Sequence, residues 1–297
     1  MPIDRRTFLL LLGASPIARA ATIEAPMRRT IPGTREKLPV IGLGTSRTFD
    51  VGEGADDRAQ LTEVMAMLLR TSGAVLDTAP SYGRAEAVSG DLLRAAGGRG
   101  TVFLATKISA AAGAGAEAQW RRSRDDLHTA TVDLLQVHNL VDWQNNLRWL
   151  RQLKEQGAIR YLGITHYRED AHDQLARIVR AEKVDFVQVN YSIAERNAER
   201  ELLPLCQDRG VAVLINRPFQ DGRLFAAVKN KPLPAWAGEI DCTSWGQLFL
   251  KFVVSHPAVT AAIPATSKPA NMADNLGAAL GRMPDDRERA RIATALA

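Results

Sequence analysis

The 297-residue chain has two cysteines, 6% aromatic residues and no apolar run long enough to cross a bilayer. Each shortage excludes something. Cys206 and Cys242 form no CxxC or other metal-ligand spacing, and no such spacing links His128, His172 and His256, which read as surface or structural residues. Cys206 falls in an apolar helical stretch and reads as a reduced buried thiol. The aromatics do not interleave with the basic residues, and 38 Lys and Arg against 33 Asp and Glu leave a net charge of only +5. A nucleic-acid partner is therefore not expected. The chain also lacks a GxxxxGK[ST] loop, a GxSxG elbow and an HExxH pair, which removes the usual evidence for three enzyme classes. What remains is ordinary globular composition, 46% hydrophobic and 24% charged, in a chain long enough to bury a core without metal or disulfide staples.

The first 20 residues look like an address. Arg5 and Arg6 precede Thr7, Phe8 and the apolar run Leu9 to Leu12, and the stretch ends in Ala18-Arg19-Ala20, a small-x-small cleavage pattern. The paired arginines resemble a twin-arginine signal, which implies the twin-arginine export machinery as a partner and a periplasmic location after cleavage behind Ala20. The apolar run is too short for a permanent membrane anchor. The competing reading is an N-terminal extension with translation starting at Met27 and a cytoplasmic protein. Residues 21–36 form a lead-in, and 37–297 the folded domain.

From residue 38 onward, short β-branched runs alternate with amphipathic stretches. The strand candidates are Pro39 to Leu43, Ala74 to Asp77, Val102 to Thr106, Val132 to Val137, Ile159 to Ile164, Phe186 to Val189, Val211 to Ile215 and Val259 to Ile263. Helical periodicity runs over Arg58 to Leu69, Glu86 to Ala95, Trp143 to Gln156, Asp170 to Val179 and Glu199 to Asp208, with Gly157 and Gly210 closing two of them. Eight strands about 30 residues apart, with no long linker, predict an α/β fold of one domain, a (β/α)8 TIM barrel. A charged helix from about Asp285 is appended. The rival dinucleotide-binding sheet has one literal match, Gly113-x-Gly115-x-x-Ala118, but Gly113 lies too far past its strand and Asp133 begins a strand instead of ending one.

Chemistry in such a barrel gathers at the C-terminal ends of the strands. There the sequence puts Asp77, then Lys107, then His138, with Tyr82 in the loop after Asp77. A phenol of pKa about 10 is a poor acid at neutral pH, and a nearby ammonium lowers that value. Lys107 can supply the ammonium, and Asp77 can hold Lys107 and offset its burial. A neutral His138 can donate an N–H where charge develops on a carbonyl oxygen. This set polarises and protonates a C=O but contains no nucleophile, so a hydride must come from a cofactor.

The ordered motifs Gly42-Leu43-Gly44-Thr45, Leu76-Asp77-Thr78-Ala79 with Tyr82-Gly83, Ala105-Thr106-Lys107 and Leu134-Leu135-Gln136-Val137-His138 resemble those of the aldo/keto reductase family. Ile159 to Ile164, Gln188 to Ser192 and Ile263 to Lys268 continue the likeness, which spans roughly residues 37–280. The resemblance implies an NAD(P)(H)-dependent oxidoreductase of a small-molecule carbonyl, aldehyde or ketone, with Asp77, Tyr82, Lys107 and His138 as its tetrad and Tyr82 as general acid and base. It further implies a dinucleotide across the barrel mouth, with Thr45, Thr165, His166, Gln188, Asn216, Arg217, Phe219, Ser267, Lys268 and Asn275 as the cofactor-binding positions.

The chain departs from the family where Ser-Asn is replaced by Thr165-His166, and where a stacking aromatic is replaced by Asn216. Two cations that commonly meet the 2′-phosphate of NADP are replaced by Ala265 and Asn271, with Lys268 as the nearest remaining one. NADP(H) is expected over NAD(H) on family habit. Phe49, Trp143, Tyr167 and Phe219 are candidates for an apolar substrate pocket. The alternative function is a nucleotide-binding regulatory or partner subunit on the same fold with little turnover.

Overall fold

A computed structural model describes residues 25–296. The proposed export signal lies outside them. Two short strands, β1 (Arg28–Thr30) and β2 (Lys37–Pro39), pair antiparallel around a turn at Gly33, whose φ of 73° favours a residue without Cβ. Eight parallel strands follow: β3 (Leu43–Gly44), β4 (Ala74–Asp77), β5 (Val102–Ile108), β6 (Val132–His138), β7 (Ile159–His166), β8 (Phe186–Asn190), β9 (Ala212–Asn216) and β10 (Ala261–Ala262). They pair in chain order, and bridges from Ile41 to Ala262 and from Gly44 to Ala265 bring the last strand beside the first. At this seam a Cβ on Gly44 would stand 2.7 Å from the Ile263 carbonyl oxygen. The expected (β/α)8 barrel is the observed fold.

Helices α1 (Ala55–Leu69), α2 (Ala85–Ala95), α3 (Ala114–Asp126), α4 (Trp143–Glu155), α5 (His172–Ala181), α6 (Leu202–Arg209), α7 (Arg223–Val228), α8 (Trp245–Val254), α9 (Pro269–Gly277) and α10 (Asp286–Ala293) fill the connections and the C-terminus. The charged terminal helix starts where the sequence placed it. Asp285 accepts from the Glu288 backbone N–H, and Glu288 reaches back to the Asp285 N–H, a capping box. The sequence reading missed the hairpin and began the first barrel strand too early, since Pro39 belongs to β2.

Side chains of a strand alternate between its faces, so each barrel strand sends one set outward to the helices and the other into the barrel. The inward set is apolar at the N-terminal end, where Val75, Phe103, Leu134, Phe186 and Ala212 pack together. Ile31 and Leu38 of the hairpin join that cluster and plug the barrel from below. Two or four residues further along, the same inner faces carry Asp77, Lys107, His138, Thr165, Gln188 and Asn216. Alternation thus sets which residues face inward, and their position along the strand separates a dry floor from a polar mouth.

Candidate active site

At the mouth lies a cavity of about 670 Å³, lined among others by Thr45, Asp77, Tyr82, His138, Thr165, Gln188, Asn216, Arg217 and Asn275. Register explains the grouping: Lys107 is level with Gln136, His138 with Thr165, and Thr165 with Gln188. The carboxylate of Asp77 is the hub. Its Oδ2 accepts from Lys107 Nζ at 2.7 Å, and its Oδ1 accepts from the side-chain amides of Gln188 at 2.7 Å and Gln136 at 3.4 Å. Thr45 Oγ1 donates to the Asp77 carbonyl. Lys107 is fully buried and also donates to the Thr78 carbonyl at 2.7 Å. Burial alone would lower its pKa, but Asp77, with Tyr82, lifts it above the ordinary lysine value, so the ammonium stays charged.

Tyr82 is partly buried, with Lys107 Nζ 4.9 Å from its ring centre. Here the structure corrects one expectation. Burial raises the Tyr82 pKa, Lys107 opposes it, and Asp77 adds to the rise, so the phenol stays above its ordinary value instead of falling below it. The cation moderates the shift without reversing it. Between Tyr82 and His138 the rings meet edge to face at 5.9 Å. Burial, then the charge of Lys107, then His166, depress His138 to about 3, so its imidazole is neutral at physiological pH, as the sequence reading required.

The expected cofactor positions divide. Thr45, Thr165, Gln188, Asn216, Arg217, Phe219 and Asn275 line the cavity. His166, Ser267 and Lys268 do not. On β7 the inner face carries Thr165, so the next residue, His166, points the other way; its ring stacks on Tyr167 and its Nδ1 accepts from the Arg168 N–H. Lys268 is exposed and immediately precedes α9. Gln188 is more committed than expected, since its carbonyl accepts from Thr165 Oγ1 while its amide holds Asp77. Of the apolar pocket candidates, Tyr167 and Phe219 line the cavity, but Phe49 is fully buried in the core and Trp143 packs against it from outside the cavity.

The sequence reading missed Arg47, Asn139 and Asp221, lining residues from the loops, and Phe225, a lining residue on α7. Loops carry no periodicity, so nothing in the pattern marked the first three. It also missed Ser109, which continues the inner face of β5 two residues beyond Lys107 and could have been found by counting. Cys206 and Cys242 are both free and buried, and burial pushes their thiols up to about 12 and about 11. His172 is buried and bonded to Asn190, and His128 bonds Asp91, both away from the cavity.

Three buried polar side-chain atoms of cavity-lining residues make no hydrogen bond within the protein, the Oδ1 atoms of Asn139 and Asn216 and Nε of Arg217. A buried polar atom left without a partner is costly, so these atoms suit a polar ligand in the cavity. The cationic lining side chains are Arg47 and Arg217, and Arg217 is already held by the Tyr167 carbonyl and by Asp221 at 3.1 Å. A dinucleotide therefore fits the donor set present.

Residues 40–295 match the model of the aldo/keto reductase family. Among curated relatives, a methylglyoxal reductase (YeaE) of Escherichia coli K12 is 30% identical over 247 residues, covering 80% of this chain and 84% of that protein. A second E. coli protein, an NADH-specific methylglyoxal reductase, is 35% identical over a shorter stretch of 88 residues, 26% of its length. Among solved structures, an aldo/keto reductase of Klebsiella pneumoniae in complex with NADP and acetate superposes with a TM-score of 0.76 at 25% identity, covering 91% of this chain and 94% of that one.

Proposed function

The chain belongs to the aldo/keto reductase family and is an NAD(P)(H)-dependent oxidoreductase of carbonyl compounds; from that premise we propose that Tyr82 is its proton donor and that its substrate is a small aldehyde or α-dicarbonyl. When bound, the nicotinamide supplies the hydride that is added to the carbonyl carbon. Tyr82 gives its phenolic proton to the carbonyl oxygen, and the C=O becomes an alcohol. In the oxidative direction Tyr82 takes that proton back. Because burial holds the phenol above its ordinary pKa, the proton stays on Tyr82 until substrate oxygen develops charge. Lys107 then sits beside the phenolate that is left. Asp77 keeps Lys107 charged and in place. His138, neutral, donates an N–H to the same oxygen and orients it. Thr165, Gln188, Asn216, Arg217 and Asn275 would hold the dinucleotide.

The observation that carries the reading is that Asp77, Tyr82 and His138 line one cavity with the fully buried Lys107 held against Asp77 and Tyr82 behind them. Support for the substrate class comes from the two methylglyoxal reductases and from the apolar side chains Tyr167, Phe219 and Phe225 around the mouth.

Cofactor preference is narrower than family habit suggests. The cavity wall formed by Ala265, Thr266, Asn271, Asp274 and Asn275 contains no lysine or arginine and does contain a carboxylate. With Lys268 outside the lining, a 2′-phosphate gains one exposed ammonium at most, a contact worth about 1 kcal/mol or less. The protein accordingly uses NADPH and NADH within about tenfold of each other in kcat/KM.

The test is cofactor oxidation by the full chain with NADPH and with NADH against methylglyoxal and other small carbonyls, with Tyr82→Phe in parallel. Turnover that is lost in Tyr82→Phe, with dinucleotide binding kept, supports the reading; a variant as active as wild type sinks the role of Tyr82. Dinucleotide binding without turnover on any carbonyl would favour the partner-subunit alternative. Export of the folded chain rests on Arg5, Arg6 and the Ala18-Arg19-Ala20 pattern. An intact mass starting at Ala21 in periplasmic material supports it, and a full-length cytosolic chain removes it.

A further inference from the structure

Resting on the role proposed for His138, we propose that Ser109 is a positioning residue that sets the tautomer of His138 and thereby which nitrogen meets the substrate oxygen. A neutral imidazole carries one N–H, and the hydrogen bond made by one ring nitrogen decides where that proton sits. At His138, Nδ1 lies 2.8 Å from Ser109 Oγ and 3.3 Å from Ser81 Oγ. Both hydroxyls can donate. With Nδ1 turned to the serines, Nε2 is the nitrogen left for the cavity that His138 lines. A carbonyl oxygen only accepts hydrogen bonds, so the useful form has its proton on Nε2, and that form requires Nδ1 to accept from a hydroxyl.

Ser109 is built for this more firmly than Ser81. It follows directly on β5, on the strand face that carries Lys107, so the backbone that places the ammonium also places the hydroxyl. Its N–H donates to Gln119 Oε1 at 2.7 Å, and the N–H of Ala110 donates to the same oxygen at 3.2 Å, so a side chain of α3 pins the backbone on either side of the hydroxyl. Ser81 is exposed and sits in the loop between β4 and α2. The Ser109 bond is the shorter, the better anchored and the more protected of the two. A side chain carried on an anchored strand end orients a catalytic group better than one on an exposed loop.

The first experiment reads the tautomer itself, by nitrogen-15 NMR of the His138 ring in the full chain at neutral pH. The expected result is an unprotonated Nδ1 and a protonated Nε2; a proton on Nδ1 in the wild type overturns the proposal without any variant. Ser109→Ala is expected to mix the two tautomers and to lower kcat about tenfold while KM changes less than twofold, the size of losing one orienting hydrogen bond. Ser109→Thr, which keeps the hydroxyl, is expected to restore both readouts. Ser109→Ala with a wild-type tautomer and kcat refutes the assignment to Ser109. Full activity in His138→Ala would instead refute the role of His138, whatever the spectra of the wild type show.

Discussion

Removing Lys107 should cost more than its charge alone, because it strands a buried carboxylate. The Lys107 and Asp77 side chains are 0% and 3% exposed, and their charged atoms are 2.7 Å apart. At an effective dielectric of about 20, two unit charges at that distance attract by about 6 kcal/mol. Lys107→Met forfeits that attraction and leaves Asp77 with only the amides of Gln188 and Gln136. Breaking one side of a buried pair typically costs about 3–5 kcal/mol. At roughly 2–4 °C per kcal/mol this lowers Tm by about 6–20 °C. The double variant Asp77→Asn with Lys107→Met removes both charges, so it should regain at least about 2 kcal/mol over Lys107→Met, a strong departure from additivity. Urea unfolding of wild type, both single variants and the double variant closes the cycle. A Lys107→Met loss below about 1 kcal/mol, or additive losses, would refute the claim that this pair is a desolvated unit.

Glu86 is buried on α2 between Thr106 and Ser123, and burial pushes its carboxyl up to about 7. A raised carboxyl stabilises the fold below its unfolded pKa of about 4.5 and loses that contribution as pH rises through 7. Wild type should therefore lose roughly 2–3 kcal/mol against Glu86→Gln between pH 5 and 8, and parallel urea midpoints at the two pH values would contradict this. His138 and His256 are held down at about 3 and about 4, so their contributions are present above pH 6.5 and disappear as pH falls toward those values. Acid unfolding should shift to lower pH in His256→Asn, measured by circular dichroism. Placing Lys at 265 and Arg at 271 should raise the kcat/KM ratio of NADPH over NADH by about tenfold or more, as charge-assisted bonds to a phosphate are strong. An unchanged ratio would put the 2′-phosphate elsewhere.

Much of this architecture was legible because barrel strands and their helices carry opposite periodicities. The strands from β4 to β9 begin and end within two residues of where the β-branched runs did. Helix α8 was not legible for a physical reason: it buries every residue from Gly246 to Val254, so no polar face marks its period. The β1 and β2 hairpin was missed because three-residue strands show no alternation, although Pro32-Gly33 between them was a turn signal in plain view. At the site, the residue types at strand ends named the cluster of Asp77, Tyr82, Lys107 and His138. Their pKa values were not readable, because the sign for Tyr82 depends on how deeply it is buried. His166 does not line the cavity because strand parity turns it from the face that carries Thr165, and the same parity would have found Ser109.

The central claim is that Tyr82 protonates a carbonyl oxygen while a hydride is added to the carbonyl carbon. A single-turnover reaction of the full chain with dinucleotide deuterated on the nicotinamide ring and methylglyoxal tests it directly. The account predicts deuterium on the former carbonyl carbon of the alcohol with wild type, and none within the same time with Tyr82→Phe despite dinucleotide binding. Label transfer at an undiminished rate in Tyr82→Phe, or alcohol formed without label, would contradict it.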